Sequence, residues 1–287
     1  MRIISANLQH GTPAKGVEPS QDCWRDLAKQ FASYQADAIC LQEVDFYQLH
    51  TGFTNQTRAL AHALSQETGT SWHYRFLGFF AGQVVLGVRL PVALPKSVKT
   101  NLFNPFRADR PLVGGYGLGI LTPHPVRRWV SAKLGAAPPR ISINGWDMRN
   151  WSFYGGQTRN LLGAEVLTKQ GSFLLGCTHL ELGSTTARNQ LRRSWQGLCA
   201  LAGIATPVLA GDFNLRNDAV RDLFPYLTIA DALTYPASQP SFQIDHVLAP
   251  PHCQVVSAEN IKMPISDHRA LFVDLDSYPP SRNLISR

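Results

Sequence analysis

The sequence predicts an α/β protein, and three observations lead there. Short apolar runs recur along the whole chain, and several stop abruptly at a polar or charged residue. Three segments between them carry apolar residues at the helical i, i+3, i+4, i+7 spacing instead. No internal repeat and no linker divides these elements, so residues 1–287 read as a single domain.

The elements follow in order. RIISANL opens the chain as a strand. Residues 21–34 place Trp24, Leu27, Ala28, Phe31 and Tyr34 on one face of an amphipathic helix. ADAICLQEV then reads as a buried strand leading into a Gln-Glu pair. Residues 55–68 form the second helix, with Ala59, Leu60, Ala63 and Leu64 on one face and Gly69 as its C-cap. YRFLGFF, GQVVLGV and YGLGILTP read as strands. Residues 89–116 are rich in Pro and Gly without a clear period and read as a long insertion, the kind of loop that usually carries function. Residues 135–157 look similar, with one short strand at most. RNLLGAEVLT and SFLLGCTHLEL pair as antiparallel strands around Gln170 and Gly171. The third helix, 184–202, puts Leu191, Trp195, Leu198, Cys199 and Ala202 on one side. TPVLAGDFNL, FQIDHVLAP and HRALFVDL are the last three strands.

Composition narrows the class. At 44% hydrophobic and 16% charged residues the chain is globular rather than disordered. No apolar run is long enough to span a bilayer, and the N-terminus opens on a strand rather than a basic-then-apolar leader, so a cytoplasmic location is expected. The five cysteines form no C-x-x-C pair; Cys40 and Cys177 lie in strand-like runs and read as small buried hydrophobes. The net charge of +7 is concentrated in one place: residues 89–159 hold eleven Lys/Arg against two Asp/Glu, while the segments on either side each sum to −1. Trp129, Trp146, Trp151, Phe103 and Phe106 share that stretch. Basic side chains interleaved with aromatics suit nucleic acid or, less well, an anionic membrane surface. A solvated basic loop with its aromatics packed on the domain is the competing reading.

Asn7, Glu43, His179 and Asp212 each stand where an apolar strand stops. Strands of one sheet that terminate together bring such residues to one edge, where sites are built on a rigid scaffold. These residues lie in SANLQ, LQEVD, CTHL and GDFN, and IDHVL and SDHRAL complete the series. In that order, from residue 7 to residue 268, the motifs resemble those of the endonuclease/exonuclease/phosphatase superfamily, and the resemblance covers essentially the whole chain. It is weakest in the basic insertion.

The resemblance implies a four-layer α/β sandwich of two packed mixed sheets flanked by helices, with the site at one end of the sheets. It implies a divalent-metal-dependent phosphodiesterase using Mg2+ or Mn2+, and the basic, aromatic middle segment tips the substrate toward nucleic acid, so that a nuclease acting on DNA or RNA is expected. A lipid or inositol phosphate phosphatase, or a sphingomyelinase-like phosphodiesterase, is the alternative. By the same resemblance Glu43 is the first metal ligand, with Asn7 and Asp267 completing the shell directly or through water. Asn7 also fits a turn, and Asp45 fits an ion pair at the strand end better than a metal. Asp212 corresponds to the residue that orients or deprotonates the attacking water, and Asn214 to a donor for a phosphate oxygen. His268 corresponds to the phosphate-contacting imidazolium, with Asp245 orienting it. Asp212 and Asn214 are expected to share one side of an extended segment, and His246 to face away from Asp245, both because strand side chains alternate. His179 resembles a histidine that binds phosphate or protonates the leaving group. Arg159 resembles a phosphate-contacting arginine.

Overall fold

Strands buried on both faces read as continuous apolar runs, and their alternating side chains then serve two different cores. The computed structural model describes residues 1–18, 22–85, 88–91, 114–137, 140–143, 151–154 and 158–277. Its strands are β1 (Arg2–Asn7), β2 (Ala38–Phe46), β3 (His73–Val85), β4 (Val88–Pro91), β5 (Gly115–Thr122), β6 (Val126–Gly135), β7 (Arg140–Ile143), β8 (Trp151–Tyr154), β9 (Arg159–Thr168), β10 (Gly171–His179), β11 (Thr206–Asp212), β12 (Thr228–Ile229), β13 (Asp245–Ala249), β14 (Cys253–Ile261) and β15 (Ala270–Ser277). One seven-stranded sheet runs β14-β15-β1-β2-β5-β3-β4 and a six-stranded sheet runs β12-β13-β11-β10-β9-β6, with β7 and β8 as a separate hairpin. Each large sheet is mixed: β1 pairs in parallel with β2, and β10 with β11, among otherwise antiparallel neighbours.

The two sheets pack face to face. Ile3, Cys40, Leu118, Leu162, Cys177 and Ala210 sit in the core between them. Their immediate neighbours Ile4, Ile39 and Leu41 pack outward against α1 (Cys23–Ala32) and α2 (Gln56–Thr68). On the other side Leu161, Leu174 and Leu209 pack beneath α3 (Ser184–Ala202) and α4 (Asn217–Leu223). The result is the expected four-layer sandwich. Cys40 and Cys177 are core hydrophobes in it, as their sequence context predicts.

α1 and α2 begin where short polar side chains cap them. Asp22 accepts from the backbone N–H of Arg25, and Asn55 from that of Arg58. Gly69 ends α2 in the left-handed conformation expected of a C-cap, at φ 65°. The expected strands YRFLGFF and GQVVLGV include one long strand, β3, bulged near Gly78, which turns back into β4. Among the elements that escape sequence reading are β6 and β14, whose edge positions expose many of their side chains, the two-residue β12 and the short α4. Residues 135–157 contain two short strands rather than one, and most of the basic insertion, residues 92–113, lies outside the described residues. Among the described residues no helix is long and apolar enough to cross a membrane.

Gly211 holds the two parallel strands β10 and β11 at their closest. Its φ of +152° suits glycine, and a Cβ there would lie 1.9 Å from the carbonyl oxygen of Thr178. Gly211→Ala therefore has to spread the sheet directly beneath His179 and Asp212. We expect a loss of at least about 2 kcal/mol, read as a lower midpoint in urea unfolding.

Candidate active site

Register builds the first half of the site. In the six-stranded sheet His179 of β10 stands opposite Asp212 of β11, which stands opposite Asp245 of β13. Two residues along, Cys177, Ala210 and Val247 belong to the core between the sheets. The period of two therefore aims all three site residues at the same inter-sheet face, where the core gives way to a cleft of about 550 Å³. Asn7 and Glu43 reach the same cleft region from the seven-stranded sheet. Asn7 ends β1, two pleats beyond Ile3. Glu43 arrives by a different device. The pairing of β2 with β5 is irregular between Leu41 and Val44, and Glu43 has a φ of +51°. Leu41 and Val44 both pack on the helical side, so the extra residue lets Gln42 and Glu43 both face inward. Gln42 is buried beside Cys177, 3.3 Å from its Sγ, and Glu43 projects into the cleft.

Asp212 is the hub. Its Oδ2 accepts from Asn7 Nδ2 at 3.0 Å and lies 3.6 Å from His179 Nε2 and 3.9 Å from His268 Nε2. Burial, reinforced by the nearby Asp245 carboxylate and opposed by His268, pushes Asp212 up to about 7. A carboxylate poised there exchanges a proton readily at neutral pH. Asn214 does not share a strand face with Asp212, as alternation predicted. The strand ends at Asp212, and the backbone N–H of Asn214 turns back onto Asp212 Oδ1 at 2.9 Å with a φ of +50°. This Asx turn still brings Asn214 to the cleft, where its Nδ2 donates to the Leu180 carbonyl at 2.9 Å.

His268 reaches the site on a turn. The Ser266 N–H donates to the Thr12 carbonyl and the Ser266 hydroxyl accepts from the His268 N–H, tying this turn to the loop after β1. His268 Nδ1 contacts Asp245 Oδ2 at 2.9 Å, and its ring rests on Tyr235. Burial alone would lower its pKa, but Asp245, with Asp212 and Asp267 behind it, raises it to about 10, so the ring is an imidazolium. His179 is the opposite case. Burial and the neighbouring Arg159 hold it well below the usual imidazole range, so it is neutral. Its Nε2 faces Asp212 and Glu43 at 3.6 and 3.8 Å while its buried Nδ1 has no partner, which favours the Nε2–H tautomer. His246 turns away from the cleft as alternation predicts: it stacks on Phe213 and donates to the Leu215 carbonyl. Burial pushes it down to about 4.

The oxygen donors fit a hard divalent cation. Glu43 is partly exposed, its neighbours within 4 Å among the described charged residues are His10 and His179, and no Lys or Arg neutralises it. Asp267 is more open still and lines the same cleft. Asn7 Oδ1 accepts from the Gln9 N–H and keeps a second lone pair. Such carboxylate and amide oxygens, with room for water, are what Mg2+ or Mn2+ takes. Asp212, Asp245 and His268 also bring ligand atoms within 4.8 Å of one another, although Asp245 already engages His268 Nδ1.

Arg159 opens β9 and lies over the Phe79 ring, 5.1 Å from its centroid, with Glu181 3.6 Å from its Nε. Sequence reading missed several cleft residues, among them two that carry a basic group. Arg216 stacks over Phe242 at 4.8 Å; the Leu-Arg that follows GDFN was its only signal. His10 lies 3.6 Å from Glu43 Oε2, and nothing in NLQHG marks it apart from its nearness to Asn7.

The sequence matches the profile of the Endonuclease/Exonuclease/phosphatase family over residues 4–268. No curated protein sequence matches. Among solved structures, an endonuclease/exonuclease/phosphatase from Beutenbergia cavernae superposes with a TM-score of 0.64 at 18% identity, covering 96% of this chain and 71% of that one. A mannosyl-6-phosphatase from Bacteroides thetaiotaomicron gives 0.59 at 16% identity, covering 96% and 99%. TDP2 from D. rerio, complexed with single strand DNA product, gives 0.54 at 17% identity, covering 96% and 99%.

Proposed function

Because the chain belongs to the endonuclease/exonuclease/phosphatase family of metal-dependent phosphoric ester hydrolases, we propose that it is a phosphodiesterase whose substrate is nucleic acid. One observation carries the substrate. Besides Asp212, the cleft is lined by Tyr235, Phe242, Ile244 and Leu182, with Tyr235 packed on Phe242 and the Arg216 guanidinium stacked over the Phe242 ring. A flat, apolar and cationic shelf next to a phosphate position suits a nucleoside attached to the scissile phosphate. The basic excess of residues 89–159 supports the same substrate by its charge alone.

In this reading Glu43, Asn7 and Asp267 hold one Mg2+ or Mn2+, which when bound polarises a phosphoryl oxygen and offsets its charge. The chain's own groups do the rest. Asp212 accepts a proton from the attacking water, its acceptor oxygen fixed by Asn7. His268, kept cationic by Asp245, donates to a non-bridging oxygen, and Arg159 and Asn214 add donors as charge builds there. The Nε2–H of His179 lies between Asp212 and Glu43 and orients whatever oxygen enters between them.

The test is a panel of single- and double-stranded DNA, RNA, sphingomyelin, inositol phosphates and mannose 6-phosphate, each with Mg2+, Mn2+ or EDTA. Hydrolysis of an oligonucleotide that EDTA abolishes, with affinity that falls steeply as salt rises, is the expected result. Turnover confined to the small phosphomonoesters would transfer the assignment to a sugar or inositol phosphatase, a reading that the cleft's modest volume also accommodates. Activity that survives EDTA overturns the metal assignment.

A further inference from the structure

We propose that His10, Asp45 and His50 form a second divalent-metal site at the rim of the cleft, one that selects an imidazole-seeking ion such as Zn2+ over Mg2+. His10 Nδ1 lies 2.7 Å from Asp45 Oδ1, and His50 Nε2 lies 3.0 Å from Asp45 Oδ2. Each residue offers one ligand atom, and the three atoms all fall within 4.8 Å of one another. Asp45 is fully buried, and among the described residues no Lys or Arg lies within ion-pairing distance of it. A carboxylate taken out of water needs a compensating cation. Thr51 Oγ1 donates to Oδ2 at 3.2 Å, and an imidazole nitrogen stands at each carboxylate oxygen, where it can share a metal ion with it.

The backbone around the trio is fixed in advance. Buried Gln56 accepts from the Asp45 N–H at 2.8 Å and donates to the His10 carbonyl at 2.7 Å, so one side chain clamps both segments. His10 is held at a φ of +59°, a conformation that non-glycine residues seldom adopt, and its ring stands edge-on to Tyr116. His50 sits on a short 3-10 turn, Leu49–Thr51, with 40% of its side chain exposed, and can shift without disturbing the core. Ligands around a tetrahedral Zn2+ at about 2.05 Å lie roughly 3.4 Å apart, so an entering ion needs each imidazole to retreat by about half an ångström. Water fills the fourth position. Two nitrogens and one oxygen suit Zn2+, whereas the all-oxygen set at Glu43 suits Mg2+. His10 joins the two, since its Nε2 lies 3.6 Å from Glu43 Oε2.

The experiment is Zn2+ titration of the full chain by calorimetry in saturating Mg2+, with Co2+ absorption as a second readout. One Zn2+ per chain is expected beside the Mg2+. His50→Ala and His10→Ala should each weaken it by more than about 100-fold, beyond what losing a partner outside the coordination shell costs. Thermal unfolding without added metal reports that both variants fold. Absence of Zn2+ binding in saturating Mg2+, or unchanged binding in either folded variant, overturns the proposal. Neither readout involves turnover, so the result is independent of which phosphate ester the enzyme hydrolyses.

Discussion

Asp212→Asn is expected to lower kcat about 10³-fold while raising the unfolding temperature. The loss would follow from removing the acceptor proposed to take the proton from water, an effect of about 10²–10⁴. The gain follows from burial. Asp212 is held near 7 against an ordinary 3.8, a gap equivalent to about 4 kcal/mol of cost for the ionised form at neutral pH. The isosteric amide removes that cost, and its own N–H group, facing the Asn7 amide, takes back about 1 kcal/mol. The pH dependence tests the same point. Because the folded pKa is raised, the Asp212 contribution is whole below 3.8 and is lost as pH rises through about 7. His246 runs the other way: neutral and buried, with a folded pKa near 4, it costs stability as pH falls below 6.5. The two slopes oppose one another in wild-type protein. In Asp212→Asn the slopes of His246 and His179, both held neutral by burial, are no longer opposed by Asp212, so stability measured by urea unfolding should fall below pH 6.5 more steeply than in wild type. A variant that is both less stable and equally pH-sensitive removes Asp212 from its assigned role.

Asp245→Asn has the opposite sign on stability. The carboxylate 2.9 Å from His268 Nδ1 is what lifts that imidazole to about 10 despite its burial. Breaking a buried ion pair by neutralising one partner costs about 3–5 kcal/mol. With a raised folded pKa, the His268 contribution is complete below 6.5 and disappears as pH climbs through about 10. Urea unfolding of wild-type protein should therefore weaken from pH 7 to 10, and Asp245→Asn should start lower and lose little more. Activity should drop with it, since a neutral ring cannot offer the same charge to a phosphoryl oxygen. The alkaline limb of kcat/KM should move toward neutrality. An alkaline limb unmoved by the substitution would show that His268 titrates independently of Asp245.

Much of this was legible in the sequence, because strands buried on both faces leave uninterrupted apolar runs and those runs end on the site residues. Asn7, His179 and Asp212 could be placed at strand ends, and the helices at 56–68 and 184–202 fell where periodicity put them. Conformations that break the pattern were not legible. The bulge that turns Glu43 inward adds one residue without any Gly or Pro to announce it, and Asn214 enters through a turn rather than a pleat. His10 carries no such mark because its partners, Asp45 and His50, are 35 and 40 residues away in sequence and meet it only in the tertiary fold, where Gln56 clamps its segment to that of Asp45.

The seven-stranded sheet contributes Asn7 and Glu43 and the six-stranded sheet contributes His179, Asp212 and Asp245, with contact made across the seam by the Asn7–Asp212 hydrogen bond. Neither half of the chain owns a working centre. On the roles proposed above, the nascent polypeptide carries the cation-binding Glu43 long before the water-activating Asp212 emerges. Hydrolytic competence is withheld until the sandwich clasps, which makes turnover a direct gauge of how well the two layers are aligned.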